Sequence, residues 1–204
     1  MKELLIATTN PAKLAEYQLL LRDFDLKVRS LRDVQIASEA PEDGTTFTAN
    51  ALMKARFYYA RADIPTLADD GGLEVDALGG APGVRSHRWL GIDNPDDRLL
   101  AEGIVRRMAE VATPQRTARL RAAAALIYRD GAKVHEALAE AALAGVIPER
   151  CYAEVRQGFP YRSVLYLPDR GCYLAELSEE EAARISQRRT LIEELRPHLL
   201  KLSH

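Results

Sequence analysis

Residues 4–21, LLIATTNPAKLAEYQLLL, decide the fold class. The preceding Glu3 and the run up to Thr8, ELLIAT, form a short and almost continuously apolar stretch, the pattern of a strand buried on both faces. Asn10 then offers a side-chain cap and Pro11 a preset φ for a first helical residue, so a helix is predicted from Asn10 to about Arg22. A buried strand that passes straight into a helix opens an α/β fold. Lys13 is out of keeping with that turn. It falls at the third helical position, where the partial positive charge of the helix N-terminus disfavours a cation by roughly a few tenths of a kcal/mol unless something negative lies in front of it.

Working outward, DLKVRSL (25–31) reads as a second strand and SEAPEDGTT (38–46) as a polar, acid-rich loop. Thr45 or Thr46 caps the next helix, FTANALMKARFYYARA (47–62), whose apolar face is traced by Phe47, Ala51, Leu52, Ala55 and Tyr59. IPTLADD (64–70) is a further strand ending on two carboxylates, and GGLEVDALGGAPGVRS (71–86) reads as a glycine-rich loop region. Ligands in open α/β sheets gather where strands end and loops begin. NPDDRLLAEGIVRRMAEV (94–111) has the pattern of an Asp-capped amphipathic helix. In RTARLRAAAALIYRDGAKVHEALAEAAL (116–143) the alanines favour helix, but RDGAK is the strongest hairpin signal of the chain, and two long strands are expected. A last helix starts at LSEEEAARISQRRTLIEEL (177–195), with Ser178 and Glu181 as a capping box, and Pro197 ends or kinks it.

With 204 residues, 47% of them hydrophobic, the chain can bury a sizeable core as one domain or two closely joined lobes. No repeat or linker marks an independent domain. A formal net charge of −2 argues against binding nucleic acid through an overall basic field. The apolar run after Met1 is too brief for a signal peptide and no stretch reaches spanning length, so a cytoplasmic address without membrane association is expected. Cys151 and Cys172 form no CxxC pair, and His87, His135, His198 and His204 are scattered without metal-ligand spacing, so neither a disulfide nor a thiolate metal site is expected.

Three segments ask for the same ligand. TTNPAK, Thr8 to Lys13, presents the hydroxyls of Thr8 and Thr9, the Asn10 amide, backbone N–H groups at a helix start and a lysine, a set that suits a phosphate chain and explains Lys13. It is neither GxxxxGK nor GxGxxG, and taken alone it reads equally as a strand-to-helix turn with a surface lysine. PEDGTT supplies Glu42 and Asp43, and LADDGGL supplies Asp69 and Asp70. Mg²⁺ prefers oxygen ligands, keeps several waters, and is commonly held by one or two carboxylates plus substrate phosphates. Separately, the first pair reads as a solvated turn and the second as a turn or a helix cap; together with a phosphate-type turn they read as a metal-phosphate site. Lys54, on the helix after the acidic loop, is by position a snorkelling surface lysine.

The blocks ATTNPAKLAEY, EDGTTFTANALMKA, ADDGGLEVDALGGAPGVRS and RTARLRAAAALIY, with weaker GFPYRSVLYLP and AELSEEEAARISQRR, resemble the inosine triphosphate pyrophosphatases, or Ham1 family, in order over nearly the whole chain. The resemblance implies an elongated mixed β-sheet with flanking helices and two lobes around a central cleft (an anticodon-nuclease-like α/β fold), a homodimer, and Mg²⁺-dependent hydrolysis of a nucleoside triphosphate to monophosphate and pyrophosphate. It places Thr8 to Lys13 on the triphosphate-binding turn, Asp70 as general base and metal ligand with Asp69 beside it, Glu42 as the other metal-binding acid, and Lys54 facing the phosphates.

The departures fall elsewhere. Gly71 stands where the family usually has a substrate-touching serine. RQGFPYRSV keeps Gly158, Phe159 and Tyr161 of the base-binding loop but puts Arg162 where the base-proximal aspartate belongs. Ala182 replaces a lysine, and the usual Ser-His-Arg is Ser186, Gln187 and Arg188. The phosphate end is retained while the base end is rewritten. The resemblance implies inosine, xanthosine or deoxyinosine triphosphate as the inherited substrate; the alternatives are the same chemistry on another nucleotide, or a nucleotide-binding descendant without catalysis.

Overall fold

The computed structural model describes residues 2–92 and 95–203. Asn94, at the head of the segment read as an Asp-capped helix, and His204 lie outside the described residues, as do Met1 and Asp93.

Strand β1 (Lys2–Ile6) runs into helix α1 (Pro11–Leu20) as expected. Asn10 caps the helix, its side-chain oxygen accepting from the N–H groups of Ala12 at 2.9 Å and Lys13 at 3.2 Å. Strand β2 (Leu26–Arg29) pairs parallel with β1. Helix α2 (Phe47–Ala62) is capped by Thr46, whose hydroxyl accepts from Ala49 N–H. Its buried face is Phe47, Asn50, Ala51, Lys54, Ala55 and Tyr58, not the stripe through Leu52 and Tyr59 that apolar residues alone suggest. The stripe is rotated because Asn50 and Lys54 find polar partners inside, which removes the penalty for burying them.

Strand β3 (Thr66–Val75) corrects a second expectation: it continues through Gly71 and Gly72 where a loop is read from sequence. A Cβ on Gly72 would lie 1.9 Å from Ser86 Oγ and 2.7 Å from Gly83 O, so this glycine marks a close approach to a strand and not its end. Helix α3 (Asp97–Arg107) has Asp96 as its cap. Strands β4 (Thr117–Asp130) and β5 (Lys133–Val146) form the expected hairpin, and the short strands β6 (Tyr166–Leu167) and β7 (Cys172–Tyr173) follow it.

The seven strands make one mixed sheet in the order β2-β1-β3-β4-β5-β6-β7, with β1 parallel to β2 and β3, and β6 antiparallel to β5 and β7. The Ser178 and Glu181 capping box opens a helix, but that helix, α4 (Glu179–Ile185), stops at Ser186, whose backbone is extended, and α5 (Gln187–Ser203) begins at once. Pro197 does not end α5, which runs on to Ser203. The carbonyl it leaves without a helical partner belongs to Glu193 on the exposed face, where water can reach it, while Leu191, Ile192, Leu195, Leu199 and Leu202 bury the opposite face on both sides of the proline.

The chain forms two compact units: one of residues 1–70, 122–141 and 188–204, the other of 71–121 and 142–187. In the first, Leu4, Leu5, Ile6, Tyr17, Leu67, Leu126 and Ile127 are essentially inaccessible, and Ala122–Ala125 are buried without a break, the mark of a strand covered on both faces. In the second, Leu73, Val75, Leu100, Ile104 and Met108 pack with Leu120, Ile147, Val164, Leu165 and Leu174.

Candidate active site

The first unit gathers most of the expected residues. At the C-terminal end of β1, Ala7 N–H donates to Leu67 O, and Thr8 Oγ1 accepts from the N–H of Asn10, which shapes the turn into α1. Lys13, one turn into α1, places Nζ 3.3 Å from Asp69 Oδ1 and 3.2 Å from Oδ2. Asp69 is 2% exposed and lies on β3. Its Oδ2 also accepts from Arg188 Nε at 3.0 Å and from a terminal guanidinium nitrogen at 2.9 Å. The other arm of Arg188 donates to Glu16 at 3.2 Å. Glu16, Arg188, Asp69 and Lys13, linked in that order, therefore form a largely buried chain of alternating charge.

The electrostatics follow from that alternation. Burial alone would raise the Asp69 carboxyl, but Lys13, Arg188 and Lys54 hold it well below the usual carboxylate range. Burial lowers the Lys13 ammonium, assisted by the neighbouring charges of Arg188 and Lys54 and opposed by Asp69. Burial pushes the Tyr17 hydroxyl well up, and Asp69 and Glu16 add to the effect.

A second cluster adjoins the first through the consecutive residues Asp69 and Asp70. Lys54 Nζ is 3.2 Å from Glu42 and 3.7 Å from Asp70 Oδ1. It is not a surface lysine: it is 8% exposed and points at carboxylates. Asp70 Oδ2 accepts from Asn50 Nδ2 at 2.8 Å. Glu42 and Asp70 thus converge on one ammonium, as hard-oxygen donors from a loop and from the middle of β3. Among the described residues no group of three or more His, Cys, Asp or Glu is arranged to hold a metal. Two carboxylates supplemented by phosphate oxygens and water suit Mg²⁺, and a cage built wholly of protein ligands is not required.

Sequence reading misses Asn50, Glu16 and Tyr17. Asn50 is visible only as a polar residue on the Phe47–Ala51–Ala55 face, and Glu16 only as an acid one turn after Lys13. Both are buried, at 2% and 4% exposure.

The residues expected at the base end lie in the second unit, apart from Arg188. Phe159 and Tyr161 are buried, and Arg162, 4% exposed, stacks its guanidinium 3.8 Å above the Phe159 ring. The Tyr161 hydroxyl donates to Ser86 O, and burial raises its pKa far above the ordinary phenol value. Gly158 N–H donates to the helix-capping region at Asp97. Ala182, Ser186 and Gln187 are all buried, with Ser186 Oγ donating to Ala183 O at 3.2 Å. Gly71 directly follows Asp70 along β3.

Comparison with known proteins gives the same direction. A model of the Ham1 family matches residues 4–198. A dITP/XTP pyrophosphatase of Geobacillus kaustophilus is 42% identical over 188 residues, 92% of this chain and 89% of its own. One of Bacillus subtilis is 36% identical over 196 residues, 96% of each. Among solved structures, a HAM1 protein from Coxiella burnetii superposes with a TM-score of 0.83 at 30% identity, covering 98% of this chain and 100% of its own. A nucleoside-triphosphatase / dITP/XTP pyrophosphatase from Mycobacterium abscessus gives 0.72 at 33% identity, covering 96% and 99%. Among the described residues no helix is long and apolar enough to cross a membrane. From the strand-to-helix turn at Thr8 to the paired carboxylates of β3, and over nearly its whole length, the chain belongs to the Ham1 family.

Proposed function

We propose that this chain hydrolyses a nucleoside triphosphate to the monophosphate and pyrophosphate with Mg²⁺, and that dITP and XTP, named for its relatives, are its first candidate substrates. The observation that carries this reading is the convergence of Lys13, Lys54 and Arg188 on the adjacent carboxylates Asp69 and Asp70, with Glu42 brought to Lys54 from a separate loop.

Glu42 and Asp70 would hold the metal, which supplies charge neutralisation and polarisation of a phosphoryl oxygen when bound. Asp69, the third acid expected there, has both oxygens engaged by cations, and its part is to hold Lys13 and Arg188 in place. The hydroxyls of Thr8 and Thr9, at the positive end of α1, bind phosphate oxygens, with Asn10 shaping the turn. Lys13 is kept reluctant to carry charge by burial, so an arriving polyanion restores the stability of its protonated form. Lys54 neutralises charge that develops on the departing pyrophosphate. Asp70 orients the attacking water at the α-phosphorus; an aspartate is too weak a base to do much more. By the family resemblance, base recognition falls to Phe159, Tyr161, Gln187 and Gly71, all of the second unit. The resemblance also supports a homodimer working in the cytoplasm.

The test is incubation of the purified chain with Mg²⁺ and a panel of nucleoside triphosphates, with products resolved by ion-exchange chromatography. Monophosphate and pyrophosphate from dITP or XTP are expected. Asp70→Asn lowers kcat by about 10³-fold, about 4 kcal/mol of barrier, while the protein stays folded. Tight nucleotide binding without turnover of any panel member overturns the reading. The buried stack of Arg162 on Phe159 favours one variation, the same products from a different base.

A further inference from the structure

Asn50 is a buried amide whose two ends face different parts of the candidate site. Its Nδ2 donates to Asp70 Oδ2 at 2.8 Å, and its Oδ1 accepts from Gly44 N–H at 2.8 Å. A backbone N–H can only donate, so the orientation of the carboxamide is fixed: oxygen to Gly44, nitrogen to Asp70. Gly44 lies two residues after Glu42 on the acidic loop. A Cβ at position 44 would sit 2.6 Å from Asn50 Oδ1, 3.0 Å from Ala49 Cβ and 3.2 Å from Asn50 N, so a glycine is what permits this approach. One side chain on α2 therefore ties the loop that carries Glu42 to Asp70 in the middle of β3.

We infer that Asn50 is a positioning residue that sets the spacing and orientation of Glu42 and Asp70 as metal-binding carboxylates, an inference that rests on the reading of those two residues above. The residue type is suited to the task. A neutral amide fixes the plane of the Asp70 carboxylate without neutralising it, whereas an acid at position 50 would repel it and a cation would compete with the metal. The neighbouring cation is already supplied one turn along the same face by Lys54.

Asn50→Ala and Gly44→Ala test this, with the unmodified protein and Asp70→Asn as references. Mn²⁺ binding is read from the loss of the free-ion EPR signal. In parallel, kcat and KM for dITP are measured across a Mg²⁺ series, and the midpoint of thermal unfolding is recorded. In Asn50→Ala, Mn²⁺ binds about tenfold more weakly, the Mg²⁺ midpoint rises by a similar factor, kcat falls about tenfold, and the nucleotide KM stays within about twofold. Gly44→Ala moves the same quantities in the same direction by a smaller factor, and it carries the test if Asn50→Ala fails to fold. A purely structural amide predicts the opposite split, a lower unfolding midpoint with Mn²⁺ affinity and kcat unchanged, and that result overturns the inference. Unaltered Mn²⁺ binding in Asp70→Asn would instead remove the carboxylate reading itself, so the two failures are distinguishable.

Discussion

Two arginines, each 4% exposed, solve the burial of a guanidinium in opposite ways. In the second unit, Arg116 donates to four backbone carbonyls: Ile147 at 2.7 Å, Met108 and Pro148 at 2.8 Å, and Val111 at 3.2 Å. Two of those acceptors lie at and beyond the C-terminal end of α3, where a helix leaves carbonyls without partners. In the first unit, Arg188 takes carboxylates, Asp69 and Glu16, and shares one of them with Lys13. Carbonyls cannot titrate, leave or exchange partners for a phosphate, and carboxylates can. Arg116 is a fastener for the ends of elements, whereas Arg188 belongs to an arrangement of charges that an anionic ligand can enter.

The contrast can be broken most directly at Arg188 itself. Arg188→Met leaves Asp69 and Glu16 short of their buried cation, a loss of about 3–5 kcal/mol in urea unfolding. The surviving folded protein should also lose about 10²-fold in kcat/KM, because Lys13 and Asp69 are no longer fixed. The matching change, Arg116→Met, strands carbonyls and costs about 2–4 kcal/mol, with kcat of the folded protein unaltered. A fall in kcat beyond about threefold in Arg116→Met, with folding accounted for, would erase the distinction.

A pH series sharpens it further. The native state holds Asp69 well below its unfolded value of about 3.9, so its contribution to stability is complete at neutral pH and is lost as the pH falls from about 4 toward the native value. The stability gap between the unmodified chain and Asp69→Asn is therefore widest near neutrality and narrows below about pH 4. The Arg116→Met gap stays flat over the same range. An Asp69 gap that is equally flat, followed by circular dichroism from pH 7 to 3, contradicts the assigned charge. The smallest effect belongs to the exposed pair of Arg56 with Glu136, bidentate at 2.7–2.8 Å: Arg56→Ala lowers stability by less than about 1 kcal/mol and leaves kcat unchanged.

What the sequence disclosed follows the range over which each signal is written. The Asn10 cap with Pro11, the Ser178 and Glu181 box, and the turn between β4 and β5 are spelled in consecutive residues, and each is found where it was expected. Lys13 stood out because a helix start makes a local demand on charge. Asn50 finds Asp70 across 20 residues and Arg188 finds Asp69 across 119, and no periodicity encodes either meeting. That is why apolar residues alone trace the face of α2 through Leu52 and Tyr59: an apolar criterion has no place for an amide and a lysine that are buried because they are paired. Gly72 misled for the complementary reason. Its missing side chain makes room for Ser86, but a glycine adjoining another glycine reads as a turn. The break at Ser186 carries no proline or glycine to announce it.

The first unit is assembled from residues 1–70, 122–141 and 188–204. During synthesis, Asp69 and Glu16 are made long before Arg188, the guanidinium that lets both be buried as charges. Until α5 arrives, those carboxylates have reason to stay in water and β3 has reason to remain loosely covered, so the chain cannot complete this charge cluster as a nascent fragment. Order of synthesis thus acts as a timer: a chain cut before α5 lacks both the guanidinium of Arg188 and the apolar face of Leu191, Ile192, Leu195, Leu199 and Leu202, so the charge cluster and the core around it are completed together.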